Sequence, residues 1–433
     1  MSQPRPRRIT RVSATPVLVK RCAPFKSALG LSKQGGFGIV RVETDAGITG
    51  VGEISMIWNG DGPAYCPMVE ALLGPAVEGL SPFQLTRAVQ RMDEAVQFTR
   101  AANPAKAAVE MALHDIVGRA LDLPVYELLG GRVRDTIVLS MSISIADIAQ
   151  MVDQARDYVG RGFRGVKVKV GLDPDHDVAA VQAIRGGVGP GITVRVDANM
   201  GWSSARQALD VIQALATYRI HSVEQPLAAD RLQDLAWLRD RSPVPIMVDE
   251  SVWGPDDALR VIRAGAADIL NVYVSEAGGL RNSMRIFELA QSAGLSCTIG
   301  SMPELGIGTA AATHLAAAAP MLLDPSDVCG VLYNAESLVQ EPFDIADGCI
   351  RPPRASGLGV TLDEPRLAAL ASGREGSRGG HGSTTEPDRE GRFFDATGGE
   401  CSRYSAPGVH GRRRSHGCGL RAGGAGKGAE PDG

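Results

Sequence analysis

From Ile137 onwards the chain alternates between short apolar runs and segments of helical periodicity. The runs are Ile137–Ile143, Gly165–Val170, Thr193–Val196, Ser222–Glu224, Ile246–Val248, Ile269–Val272 and Leu295–Ile299. Between them lie Asp175–Val188, Ser203–Tyr218, Pro255–Ala264 and Arg281–Ala293, each long enough for an amphipathic helix. A polar residue stands at the end of successive runs: Lys169, Asp197, Glu224, Asp249, Tyr273 and Thr298, at intervals of 28, 27, 25, 24 and 25. Strand–helix units of that length in series predict parallel strands joined by right-handed crossovers. About seven or eight of them close into a barrel. An open doubly wound sheet is the alternative, but no GxGxxG follows the first strand to favour it.

The N-terminal third follows another pattern. Phe37–Thr44 alternates at period two, Asp45-Ala46-Gly47 reads as a turn, and Ile48–Glu53 resumes strand character, which predicts a hairpin. Ala105–Leu121 carries apolar residues at helical spacing, and Leu129-Gly130-Gly131 closes the segment after it. The expected organisation is an α+β domain over residues 1–130, a barrel over 131–330, a returning segment over 331–372 and a low-complexity tail over 373–433. The tail holds 17 Gly in 61 residues, and its only Val, Leu, Ile or Met are Val409 and Leu420, so disorder is expected there.

Composition narrows the function classes. A net charge of -4 from 45 Lys+Arg and 49 Asp+Glu advertises neither a nucleic-acid partner nor an anionic membrane. No stretch approaches the ~18 apolar residues of a membrane span, and the basic start MSQPRPRRITRV leads into no apolar signal region. The seven Cys are scattered without CxxC spacing, which argues against a disulfide scaffold or a Cys-based zinc site. A cytoplasmic location is expected.

The chemistry collects at the C-terminal ends of the predicted strands, where barrels place their sites. Asp197, Glu224 and Asp249 end three consecutive strands. Three converging anions raise one another's pKa unless a cation sits among them. A hard divalent ion with oxygen ligands suits them, Mg²⁺ first and Mn²⁺ as the variant, and no His or Cys joins them to favour zinc. Lys167 and Lys169, two apart on one strand, face the same way. Lys169 is the candidate acid/base, with Lys167 as the neighbouring charge that tunes it; a purely electrostatic balance of the carboxylates is compatible with both.

These residues carry a resemblance. K-V-K at Lys167–Lys169, D-A-N at Asp197, E-Q-P at Glu224, D-E-S at Asp249, the run from Asp268 to Leu280, Gly300–Glu304 and the helical stretch Ala107–Gly131 resemble the muconate lactonizing enzyme subgroup of the enolase superfamily. The resemblance implies an α/β fold, a modified (β/α)7β TIM-like barrel with an N-terminal α+β capping domain. It implies Mg²⁺ on Asp197, Glu224 and Asp249, and abstraction of the proton α to a carboxylate of a small-molecule substrate through a metal-stabilised enolate. A homo-oligomer is also implied. Two cap loops, around Pro24–Leu31 and Ile54–Tyr65, would close over the mouth and offer Lys26 and Trp58 to substrate. Asn199, Glu304 and Asp327 would line the same site.

One position departs from the subgroup, where a second acid/base Lys usually stands two residues after the Asn of the sixth strand. Here Asn271 is followed at that distance by Tyr273. Tyr273 is therefore a candidate catalytic group, a weak base and a tolerable acid near neutral pH, or else a space-filling side chain. Reactions that need one principal acid/base survive this change better than two-base racemisation. The expected activity is a cycloisomerase-type isomerisation, with dehydration of a hydroxy acid or hydroxy amino acid by β-elimination as the alternative. A catalytically degenerate binding protein on the same barrel is the alternative of another class.

Overall fold

The computed structural model describes residues 5–56 and 62–372. Trp58, with Ile57 and Asn59 beside it, and the tail 373–433 lie outside the described residues.

Three strands, β1 (Ile9–Ser27), β2 (Gly30–Thr44) and β3 (Thr49–Ser55), form an antiparallel meander in that order. The predicted hairpin is present, with Arg41 opposite Val51 and Val42 opposite Gly50. Its strands run longer than the alternation suggested, and β1–β2 extends as an arm whose register shifts between Lys20 and Phe25. Helix Asn103–Leu121 lies on this sheet, buried along nearly all of its length. The sheet admits it because β3 offers glycines: a Cβ on Gly52 would overlap the Ala108 carbonyl.

The barrel strands are β5 (Ser140–Ile143), β6 (Gly165–Lys169), β7 (Thr193–Asp197), β8 (Val223–Glu224), β9 (Ile246–Val248), β10 (Ile269–Val272) and β11 (Ser296–Ile299). All pair in parallel with their sequence neighbours, as right-handed crossovers demand. The seam between β11 and β5 is filled by the segment around Ser326. Leu322 bridges Cys297 and Ser326 bridges Leu139, while Asp327 N donates to Ile299 O at 2.9 Å. The apolar run 137–143 proves to be two strands: β4 (Ile137–Val138) joins a small antiparallel sheet with β12 (Ile345–Ala346) and β13 (Cys349–Ile350). Helix starts follow local chemistry. Asp147, Asp173 and Ser204 each accept an N–H from the first turn of the helix they cap.

The cap is fastened to the barrel by two buried carboxylates, Glu53 and Glu110, aimed at helix N-termini, where unpaired N–H groups and the helix dipole favour an anion. Glu53 on β3 accepts from Leu305 N at 2.7 Å and Gly308 N at 2.8 Å, at the start of helix Gly306–Ala318. Glu110 accepts from Leu280 N at 2.9 Å and Arg281 N at 3.1 Å, at the start of helix Leu280–Ser292. Asp115 instead ties helix Asn103–Leu121 to β3 and to the returning C-terminal segment, accepting from Val51 N at 3.1 Å and Leu358 N at 2.9 Å.

Candidate active site in the barrel mouth

Strand register brings the candidate groups together. Lys169 lies beside Asp197, and Asp197 beside Glu224, while Asp249 follows the last residue of β9. Asp197, Glu224 and Asp249 are buried, and one carboxylate oxygen from each lies within 4.8 Å of the others. Lys169 Nζ donates to Asp197 Oδ2 at 2.6 Å and to Asn199 Oδ1 at 3.0 Å, and its side chain is 12% exposed. Lys167 points deeper. Its ammonium lies 2.8 Å from Asp327 Oδ2, 3.1 Å from Glu224 Oε1 and 3.6 Å from Asp197 Oδ2.

Burial opposes charge on all these groups, and the neighbours decide each outcome. Burial, then the Asp197 charge, push the Glu224 carboxyl well above its ordinary range. Burial and the adjacent Glu250 do the same to Asp249. Asp197 goes the other way, because Lys169 and Lys167 outweigh its burial. Lys167 stays cationic because Asp327, Glu224 and Asp197 together overcome its desolvation. Asp327, despite burial, is held down at about 2 by Arg195 and Lys167.

Two carboxylate oxygens in the cluster, Glu224 Oε2 and Asp249 Oδ1, have no hydrogen-bond partner among the described residues although fully buried. A buried carboxylate oxygen without a partner is costly. All-oxygen donors, an excess of negative charge and unsatisfied lone pairs fit a hard divalent ion there.

Tyr273 stands across the mouth from Lys169. Its hydroxyl donates to Asp249 Oδ2 at 2.9 Å and receives Asn271 Nδ2 at 3.3 Å. Burial, then the Asp249 and Glu224 charges, raise its pKa well above the usual phenol value. Of the other expected contacts, Asn199 holds Lys169 and donates to Glu250 Oε1 at 3.2 Å. Its φ of 41° puts it in the left-handed region. Glu304 bends back to accept from Met302 N at 2.9 Å and from the Ser301 hydroxyl. Lys26 reaches the barrel through its backbone: Lys26 N donates to Ser144 Oγ at 2.7 Å and Ile145 N donates to Lys26 O at 2.9 Å. Its side chain is exposed.

Three site neighbours escaped the sequence reading. Arg195, buried in the barrel interior, donates to Asp327 and to the Ser140 hydroxyl. Asn271 donates to Glu224 Oε1 at 2.9 Å. Glu250 adds a fourth carboxylate, raised to about 8 by burial and the Asp197 charge. The signal was available for two of them. Arg195 and Asn271 each sit two residues before a strand-end group, so they face the same way as that group.

Two family patterns match this chain: mandelate racemase / muconate lactonizing enzyme, N-terminal domain, over residues 9–130, and enolase C-terminal domain-like over residues 150–366. The chain belongs to the mandelate racemase/muconate lactonizing enzyme family of the enolase superfamily. Its relatives include a hydrophobic dipeptide epimerase of Enterococcus faecalis, 35% identical over 314 residues, which are 72% of this chain and 87% of that one. Muconate cycloisomerase 1 of Pseudomonas putida is 34% identical over 355 residues, 80% of this chain and 94% of that one. A solved structure of dipeptide epimerase from Enterococcus faecalis, in complex with Mg and the dipeptide L-Leu-L-Tyr, superposes with a TM-score of 0.76 at 32% identity, covering 82% and 99% of the two chains. The barrel with its N-terminal cap is the fold these members share. The chain is thus an enzyme of the isomerase type. Enzymes of this superfamily use a divalent metal. No helix among the described residues is long and apolar enough to cross a membrane.

Proposed function

We propose that the protein is a Mg²⁺-dependent isomerase that removes the proton α to the carboxylate of a small-molecule substrate, with Lys169 as the one principal acid/base. The metal ligands in this reading are Asp197, Glu224 and Asp249, with Mn²⁺ as the alternative ion of like donor preference. When bound, the ion supplies Lewis-acid stabilisation of negative charge developing on the substrate carboxylate.

The chain's own groups do the rest. Lys169 is the partly exposed cation of the cluster, and its Nζ already faces the mouth between Asp197 and Asn199. As a neutral amine it takes the α-proton, and as an ammonium it returns it. Lys167, locked among three carboxylates, keeps its charge and balances the cluster. Asp327 and Arg195 hold that lock from below.

The observation that carries the one-face reading is the bond from Tyr273 to Asp249. A hydroxyl already donated to a carboxylate has no proton free for the substrate, and a phenol of raised pKa is a poor base near neutral pH. Cycloisomerisation runs on one acid/base and is the favoured reaction; β-elimination of water runs on the same group and is the second reading. Two-base epimerisation, the activity named for some relatives, fits this mouth less well. A cytoplasmic homo-oligomer completes the reading.

The test follows candidate carboxylic acids in D₂O with Mg²⁺. Deuterium should enter the α-carbon of one enantiomer, and the exchange should vanish in Lys169→Met. Equal, rapid exchange from both enantiomers, lost in Tyr273→Phe, would show a two-base racemase and overturn the reading.

A further inference from the structure

We infer that Tyr273 is a positioning residue for the Asp249 carboxylate, and that Gly300 on the neighbouring strand end is what lets it stand there. The inference rests on the metal site proposed above and deepens it.

Asn271 and Tyr273 lie two apart at the end of β10 and face the same way. Together they make a chain of hydrogen bonds across the cluster. Asn271 Nδ2 donates to Glu224 Oε1 at 2.9 Å and to the Tyr273 hydroxyl at 3.3 Å, and that hydroxyl donates to Asp249 Oδ2 at 2.9 Å. Each of these carboxylates therefore has one oxygen tied to β10. The other oxygen of each, Glu224 Oε2 and Asp249 Oδ1, is buried without a partner among the described residues. Two neighbouring carboxylates left to themselves turn their charges apart. A donor on one oxygen of each fixes the rotation and leaves the other free for a cation, which is how groups behind a metal site orient its ligands.

The phenol can do this only if its ring has room. Gly300 N donates to Val272 O at 3.1 Å, so the backbone at residue 300 passes directly beside the ring. A Cβ built on Gly300 would overlap Tyr273 Cζ, Cε2 and the hydroxyl oxygen. The demand is for space, since Gly300 is not among the glycines of positive φ. Met56 and Met302 pack on the ring, with Tyr65 and Trp253 beside them, as a small apolar cluster apart from the main core. The ring is thus clamped on its apolar sides and aimed by its hydroxyl. A side chain so fixed suits orientation of a ligand better than movement of a proton.

The experiment uses the full chain and metal alone, without substrate. Calorimetric titration with Mg²⁺, supported by Mn²⁺ electron paramagnetic resonance, reads affinity directly. Tyr273→Phe keeps the ring and removes the donor. It should weaken Mg²⁺ by ~10–100-fold, the usual loss for a group that orients a metal ligand, with the melting temperature nearly unchanged. Gly300→Ala should weaken it similarly, and should cost nothing further once Tyr273 is already Ala, because the two losses share one cause. Tyr273→Phe binding Mg²⁺ as tightly as the parent, while Asp249→Asn does not, would remove this inference and leave the metal site standing. Asp249→Asn without effect would remove the metal site itself. Should Gly300→Ala fail to fold, Tyr273→Phe alone decides.

Discussion

Glu53 and Glu110, between cap and barrel, and Asp115, between the cap and the returning C-terminal segment, form a seam as buried as Asp197, Glu224 and Asp249 in the barrel mouth; none of the six exceeds 3% exposure. Their surroundings differ in which groups meet their oxygens. In the seam every carboxylate oxygen accepts a backbone N–H: Leu305 and Gly308 for Glu53, Leu280 and Arg281 for Glu110, Val51 and Leu358 for Asp115. In the mouth, Glu224 Oε2 and Asp249 Oδ1 accept nothing from the described residues. Burial of a charge is costly in both places, and in the seam each oxygen is met by a donor built into the fold. The mouth meets Asp197 and one oxygen each of Glu224 and Asp249, and leaves the other oxygen of those two with something to gain from an added cation. In the seam backbone donors take both oxygens of each carboxylate; in the mouth side chains take one oxygen of each and leave Glu224 Oε2 and Asp249 Oδ1 for a cation.

Substitutions can break or sharpen that contrast. The largest effect is expected at Lys169, where Lys169→Met should lose ~10²–10⁴ in turnover, the usual worth of a general acid/base, with Mg²⁺ binding roughly kept. Near-normal kcat in that variant would strip Lys169 of its role. Next, Asp197→Asn should weaken Mg²⁺ by at least ~10–100-fold, since groups merely behind a ligand are worth that much, and activity should fall with it. Unchanged affinity by calorimetry would dissolve the triad.

Glu110→Ala tests the seam. It strands the N–H groups of Leu280 and Arg281, each costing ~1–3 kcal/mol, which lowers the melting temperature by several degrees. Mg²⁺ affinity should hold. If this variant lost metal as Asp197→Asn does, seam and mouth would not be separate devices.

The smallest effect is a pH slope. Burial raises Glu53 to about 7 against the lowering by its hydrogen bonds from Ser55, Gly308 and Leu305. The folded chain then holds this proton more tightly than the unfolded one. Its stabilising share is whole below the ordinary value of 4.5 and is lost as pH rises towards 7. From about pH 5 to about pH 8 the parent should therefore lose more melting temperature than Glu53→Gln. Equal slopes would mean that Glu53 does not titrate in the folded seam.

Legibility in the sequence followed the range of the interaction. Asp197, Glu224 and Asp249 could be read as a set because each ends a strand, and strand ends recur at regular intervals along the chain. Lys167 and Lys169 could be read as facing one way because side-chain direction alternates along any strand. Tyr273 was visible as a departure, but not what it touches. Its partners Asp249 and Gly300 follow other strands, and the space for its ring depends on an absent Cβ beside it. The pair Arg195–Asp327 spans 132 residues, and Asp327 sits in a closing segment with no strand periodicity of its own.

By itself, then, the sequence determined the repeat of strands and helices, the family, and that Lys169, Asp197, Glu224 and Asp249 stand at successive strand ends, because these depend on local periodicity and short motifs. Only the tertiary structure decided which oxygens of those side chains are already taken. That depends on contacts between residues tens to hundreds of positions apart, for which a single chain of letters carries no periodic signal.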